Sequence, residues 1–191
     1  MLETLFITKS KIRQALLTLF FTNPSKSYYL RELERMLGYS AGSIRRELLR
    51  FQKDNLFTTR KVGNLLYYHL NTTHPLFEEL KSIISKTVGV EGALKKELSS
   101  FKKIKTAFIY GSFASKRQKT DSDIDLMIIG NPDISSLNEK IARLEDKLKR
   151  EINITTYSPE EYKNKRKVKS GFILDVLKNP KILLAGSEDD L

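Results

Sequence analysis

Residues 111–126 read Gly-Ser-Phe-Ala-Ser-Lys-Arg-Gln-Lys-Thr-Asp-Ser-Asp-Ile-Asp-Leu, and this stretch decides how the second half of the chain folds. Thr106-Ala107-Phe108-Ile109-Tyr110 just before it is apolar and β-rich, the composition of a short buried strand. Leu126-Met127-Ile128-Ile129 at its end predicts another. Gly111-Ser112 closes the first strand, and ten residues separate Ser112 from Asp123-Ile124-Asp125 at the head of the second. Residues two apart on a strand point the same way. Asp123 and Asp125 therefore predict a carboxylate pair on one face, with Ile124 and Leu126 packed behind. Two hard oxygen donors so placed suit a divalent cation, Mg²⁺ or Mn²⁺, that bridges phosphates. Gly111 has no Cβ and lets the backbone approach an anion closely. Ser112 adds a hydroxyl and an N–H where a following helix would favour phosphate.

Gly-Ser, a spacer, then Asp-x-Asp at the head of a strand resembles the signature of the minimal nucleotidyltransferases in the DNA polymerase β superfamily. The resemblance implies a small mixed-sheet α/β domain that binds a nucleoside triphosphate with Mg²⁺ (or Mn²⁺) and transfers a nucleotidyl group to a hydroxyl. It implies Asp123 and Asp125 as catalytic metal ligands, and Gly111 and Ser112 as nucleotide-binding residues. The chain departs from the family pattern twice. Lys116 stands in the spacer where the family usually has glycine, and is read as facing solvent. Active members also place a third carboxylate on a later strand; here that strand is Glu151-Ile152-Asn153-Ile154-Thr155, and the matching position is Asn153. An amide can coordinate through its oxygen but cannot take a proton or supply charge. Glu151, two residues earlier on the same strand face, replaces it only if the register turns it inward. Asp121 is read as a solvent-facing loop residue. The second half also resembles a subgroup in which this fold follows a winged helix, with Asn at that position and a Tyr-Ser-Pro-Glu-Glu stretch after it. Thr156–Tyr162 fits, and Ser158 with Glu161 forms a capping box around Pro159.

The rest of this half reads as scaffold. Leu137, Ile141, Leu144 and Leu148 predict a helix over Ser136–Arg150. A last helix is expected over Pro159–Leu177. Its Lys163, Lys165, Arg166, Lys167 and Lys169 suit either a polyanion or solvent. Ile182-Leu183-Leu184 predicts a short closing strand.

The first half has a different period. Residues 9–21 predict an amphipathic helix stopped by Asn23-Pro24. Leu30, Leu33 and Leu37 predict a second, ended by Gly38. Ser40 caps a third running to about Asp54, with Ile44, Leu48 and Phe51 on one face and Arg46, Arg50 and Lys53 opposite. Leu56–Val62 and Leu65–Leu70 around Gly63-Asn64 predict a hairpin with Arg60 and Lys61 on its approach. A basic stripe alone is usually a solvated face. Two short helices and a hairpin in this order resemble the winged helix-turn-helix domains of regulators. The resemblance implies double-stranded DNA as partner, with Ser40, Ser43, Arg46, Arg50, Lys53, Arg60 and Lys61 as contacts. Tyr67 and Tyr68 are read as packing residues, and His69 and His74 are assigned no role.

Together these readings predict an α+β chain: a winged helix domain over 1–72, a helical linker over 73–101 and a nucleotidyltransferase-like domain over 102–191. The linker serves either as a connector packed on its own chain or as a homodimer surface, and the sequence leaves both open. The chain carries 34 Lys+Arg against 23 Asp+Glu, a net charge of +11, which favours a polyanionic partner. Residues 1–90 hold 14 basic and 7 acidic side chains, residues 91–191 hold 20 and 16, so the imbalance is sharper in the first half. With no cysteine, disulfides and thiolate metal sites are excluded and a cytoplasmic setting is expected. No apolar run approaches the ~20 residues a bilayer requires, so no membrane partner is expected. Three functions remain in play: a DNA-binding nucleotidyltransferase, a transcriptional regulator with a catalytically silent nucleotide-sensing domain, and an antitoxin-like partner of a toxin.

Overall fold

The computed structural model describes residues 10–115, 122–168 and 170–191. Lys116 and Asp121, both expected from sequence to face solvent, lie outside the described residues, as does Lys169. The chain divides into two compact units, Met1–Gly92 and Ala93–Leu191.

In the first unit α1 (Lys11–Thr22) starts at Ser10, whose side chain accepts from the Arg13 N–H, and it buries the run Leu16–Thr22. Strand β1 (Ser27–Tyr29) leads into α2 (Leu30–Leu37), which stops at Gly38 with φ +69°. Helix α3 (Ala41–Lys53) follows, with Ser40 at its N-cap. Strands β2 (Phe57–Val62) and β3 (Leu65–Leu70) form an antiparallel hairpin in which Val62 faces Leu65. The two-residue turn places Gly63 at φ +57°, a conformation that costs glycine little and matches the strand twist. The sheet order is β1-β3-β2. β1 does not follow from sequence, because three residues are too few to show alternation and its partner β3 is some 40 positions away. The core joins Leu16, Phe20, Leu33, Ile44, Leu48 and Phe57, with Phe20 edge-on to Phe57 at 4.6 Å and to Tyr28 at 5.2 Å. Helix α4 (Phe77–Thr87) packs here through Phe77 and Ile84. The expected helical stretch over 73–101 breaks near Gly89 and resumes as α5 (Val90–Leu98).

The second unit is a four-stranded mixed sheet in the order β6-β5-β4-β7. Strand β4 (Ile104–Tyr110) runs antiparallel to β5 (Ile124–Gly130) and to β7 (Ile182–Ala185), while β5 and β6 (Ile152–Tyr157) are parallel. A single helical turn α6 (Gly111–Ala114) follows β4. Parallel neighbours need a crossover, and α7 (Ile134–Leu148) supplies it. It starts two residues earlier than Ser136 because Asp133 caps it, accepting from the Ser136 N–H at 3.3 Å. It also ends two residues before the expected Arg150, where Lys149 turns left-handed at φ +53°. The helix expected over Pro159–Leu177 is two: α8 (Pro159–Lys167) and α9 (Gly171–Lys178). α8 buries only Tyr162, whereas α9 buries Ile173 and Val176, and one straight rod does not serve both patterns. Phe108, Met127, Ile129, Tyr162, Ile173 and Val176 form the core on this side of the sheet.

Candidate functional site

Period 2 along β5 puts Asp125 on the face of Met127 and Ile129, while Ile124, Leu126 and Ile128 are fully buried. Cross-strand register sets Tyr110, Asp125 and Asn153 in one row over β4, β5 and β6. Asp123 stands exposed just before β5, and Asp125 is half-buried. Burial pushes the Asp125 carboxyl above its ordinary value; the negative charge of Asp123 adds to this and the Asn153 amide partly offsets it. The Asn153 Nδ2 donates to Asp123 Oδ2 at 3.4 Å. Asn153 thus lies against both aspartates, and its N–H groups face carboxylate oxygens. The Glu151 side chain is exposed ahead of β6, and the backbone carbonyl of Glu151 accepts from Ile124 N–H at 2.9 Å. The Tyr110 hydroxyl is within 3.2 Å of Thr155 Oγ1, and burial raises its pKa first, with the Asp125 charge contributing.

Gly111 is held at φ +73°, and a Cβ built on it would fall inside the van der Waals radius of Asp125 Oδ2. From sequence, this freedom is expected to serve an approaching phosphate. In the fold, the space left by the missing side chain is first of all filled by the Asp125 carboxylate. Ser112 follows in the α6 turn, which closes with Ser115 N–H donating to Gly111 O at 3.1 Å.

Arg150 is not among the residues the sequence motifs point to. Because α7 stops early, this side chain leaves the helix and chelates the Ser122 carbonyl, with Nε at 2.9 Å and Nη2 at 2.6 Å. Its guanidinium also lies 5.6 Å from the centre of the Phe113 ring. One cation therefore ties the segment just after Gly111-Ser112 to the segment just before Asp123. A signal existed in sequence, an Arg at the C-terminal end of a helix, but the αL turn at Lys149 that frees it did not show.

Among the described residues no group of three or more His, Asp or Glu side chains comes together, so Asp123 and Asp125 remain a pair. The family model described as "Polymerase beta, Nucleotidyltransferase" matches residues 93–188, just over half of the chain. The chain belongs to this nucleotidyltransferase family. Two solved structures resemble this chain in part. One is described as a crystal structure of the toxin-antitoxin MntA-HpeT mutant, 16% identical, covering 52% of this chain and 76% of that one, with TM-score 0.39. The other is described as a crystal structure of the toxin-antitoxin with AMP-PNP, 19% identical over the same shares, with TM-score 0.40. No curated protein matches the chain.

The residues singled out in the first unit lie on α3 and β2. Ser40 accepts from the Ser43 N–H at 3.4 Å and donates to Ser43 Oγ at 3.0 Å, so both hydroxyls already serve the start of α3. Arg46, Arg50 and Lys53 are exposed, and Arg45, which the stripe omitted, is exposed beside them. Arg46 Nη2 donates to Ser43 Oγ at 3.3 Å. Arg50 pairs with Glu47 at 2.8 Å, and the same buried Glu47 holds Arg13 of α1 at 2.8 Å. Arg60 and Lys61 are both exposed but are successive on β2, so they point to opposite faces. His69 contacts Thr58 across the hairpin at 2.7 Å. Among the described residues no helix is long and apolar enough to cross a membrane.

Proposed function

We propose that the second unit binds a nucleoside triphosphate through a divalent cation held by Asp123 and Asp125, and that transfer to a hydroxyl acceptor is held to a low rate by Asn153. The observation behind this is the pair of carboxylates at the head of a buried strand, lying against a turn where Gly111 leaves no side chain in the way. The donor set fits Mg²⁺ or Mn²⁺: both groups are hard oxygen ligands, and their mutual repulsion is relieved by positive charge between them. Held by Asp123 and Asp125, such a cation would supply positive charge against the phosphate oxygens and the charge that builds up during displacement. The chain's own residues do the rest. Asp123 and Asp125 fix the position, the Ser112 N–H and hydroxyl offer donors to phosphate oxygens, and Arg150 holds the two flanking segments together. At position 153 the acceptor hydroxyl meets an amide, which cannot take its proton.

That amide also supports a second reading, a catalytically silent domain that senses nucleotide within a transcriptional regulator. Incubation with radiolabelled nucleoside triphosphates and Mg²⁺ separates the two. Slow labelling of an acceptor, raised by Asn153→Asp, supports transfer; binding with no labelling by either form supports sensing. Asp123→Ala combined with Asp125→Ala is expected to abolish cation-dependent nucleotide binding, and unchanged binding would remove the site.

For the first unit we propose a winged helix-turn-helix that binds double-stranded DNA, with α3 in the major groove and the β2–β3 hairpin as wing. The exposed Arg45, Arg46 and Lys53 opposite the buried Ile44, Leu48 and Phe51 support it. A homodimer would set two α3 helices on two half-sites, and sizing with and without duplex DNA tests that.

A further inference from the structure

At the end of the sheet away from the aspartates lies a cavity of about 600 Å³, lined by Lys105, Ile129, Pro159, Tyr162, Lys163, Arg166, Lys167 and Asp190. Ile129 is four residues beyond Asp125 on the same face of β5, on the order of 13 Å along the strand. Four cations and one carboxylate therefore meet over an apolar floor of Ile129 and Tyr162. Asp190 is already engaged: it accepts from Ser187 N–H at 3.1 Å and Oγ at 2.9 Å, and it pairs with Lys105 at 3.3 Å. Among the described residues no carboxylate is within ion-pair distance of Lys163, Arg166 or Lys167. On α8 these three are exposed, and Tyr162 is its one buried residue. A helix of this kind has little apolar surface to bury, so its cationic side is not a by-product of packing.

We propose that this cleft is a second anion site that takes a phosphate-rich ligand of nucleotide size, bearing at least two phosphate groups, with the Asp190 carboxylate standing in for one of them on Lys105 when the ligand is absent. Cationic donors converging on one volume suit several phosphate oxygens at once, with Arg166 able to engage two. The cleft is open to solvent on one side, and its volume of about 600 Å³ leaves room for a ligand of nucleotide size. Binding displaces Asp190 from Lys105 and needs no divalent cation, so the site is independent of the proposed reaction at Asp123 and Asp125.

Inorganic tripolyphosphate in EDTA, titrated into the full chain by calorimetry, tests this. Wild type is expected to bind with one site in this unit. Asp123→Asn with Asp125→Asn is expected to bind as wild type. Lys163→Ala with Arg166→Ala and Lys167→Ala is expected to weaken binding about tenfold or more through loss of three charge-assisted contacts. Asp190→Asn removes the internal competitor and is expected to tighten binding several-fold. A control with the same charge loss elsewhere, Lys95→Ala, Lys96→Ala and Lys102→Ala, is expected to leave affinity unchanged. An equal loss in the control, or no loss in the α8 triple variant, overturns the proposal. A single-stranded RNA that binds through the same three cations while tripolyphosphate does not would overturn the small-ligand assignment.

Discussion

The Asp125 carboxyl is held above the ordinary aspartate range by burial first and by Asp123 second. A carboxyl whose pKa rises on folding contributes stability while protonated; the contribution is complete below the unfolded value and is lost as pH climbs through the folded one. From about pH 4 upward the metal-free protein is therefore expected to lose stability from this source. Asp125→Asn should raise the metal-free melting temperature near neutral pH and leave it unchanged in acid. The same variant should abolish the rise that Mg²⁺ gives to the wild type, and melts at both pH values with and without Mg²⁺ check the pair. Gly111→Ala acts at the same contact with the opposite sign. It places a Cβ against Asp125 Oδ2 and holds a non-glycine residue at φ +73°. Urea unfolding is expected to show a loss of about 1–3 kcal/mol, the cost of a strained backbone position. The two aspartates, Gly111 and Ser112 were legible as candidates because their types and spacing survive in one dimension, and Asn153 was legible through the resemblance to the nucleotidyltransferase family. Arg150 was not legible, since its use depends on where α7 ends.

Helix α3 shows how one element divides its charges. Its apolar face is fixed by Ile44 and Leu48, both fully buried, and Glu47 is drawn inward by Arg13 and Arg50. Arg50 is thus already compensated by a carboxylate 2.8 Å away, whereas among the described residues Arg46 meets the Ser43 hydroxyl and no carboxylate. If α3 binds duplex DNA, Arg46→Ala should reduce the slope of log affinity against log salt by about one phosphate, near 0.9. Arg50→Ala should reduce it by less, because removing that guanidinium also frees Glu47 of one partner and leaves it with Arg13. Binding measured across a salt series separates the two, and equal slopes for both variants would mean that the Glu47 contact does not hold in the complex. The hydrophobic period made this helix and its basic side readable from sequence. The inward turn of Glu47 was not readable, since Arg13 lies 34 positions away on α1.

On the scale of the whole molecule, the first and the second unit each bury apolar side chains of their own. Leu48 belongs to the first and Phe108 to the second, and both are fully buried. Leu48→Ala is expected to cost about 2–5 kcal/mol and Phe108→Ala about 3–5 kcal/mol. Amide hydrogen exchange should localise each loss: faster exchange over 11–70 for the first, and over 104–130 for the second. Spread of either effect across both segments would mean that the units unfold as one. What the sequence determined alone was local and periodic: the helical and strand repeats, the caps at Ser40 and Ser158, and the Gly-Ser and Asp-x-Asp pairs on either side of a spacer. Each depends on residues a few positions apart, and short-range sterics and burial suffice to specify them. The tertiary structure alone decided that β6 lies beside β5 so that Asn153 meets the aspartates. It also brought Arg150 back to Ser122 and gathered Lys105, α8 and Asp190 around one cavity. Those contacts join residues 28 to 85 positions apart, and only the packing of the sheet and its helices sets such distances.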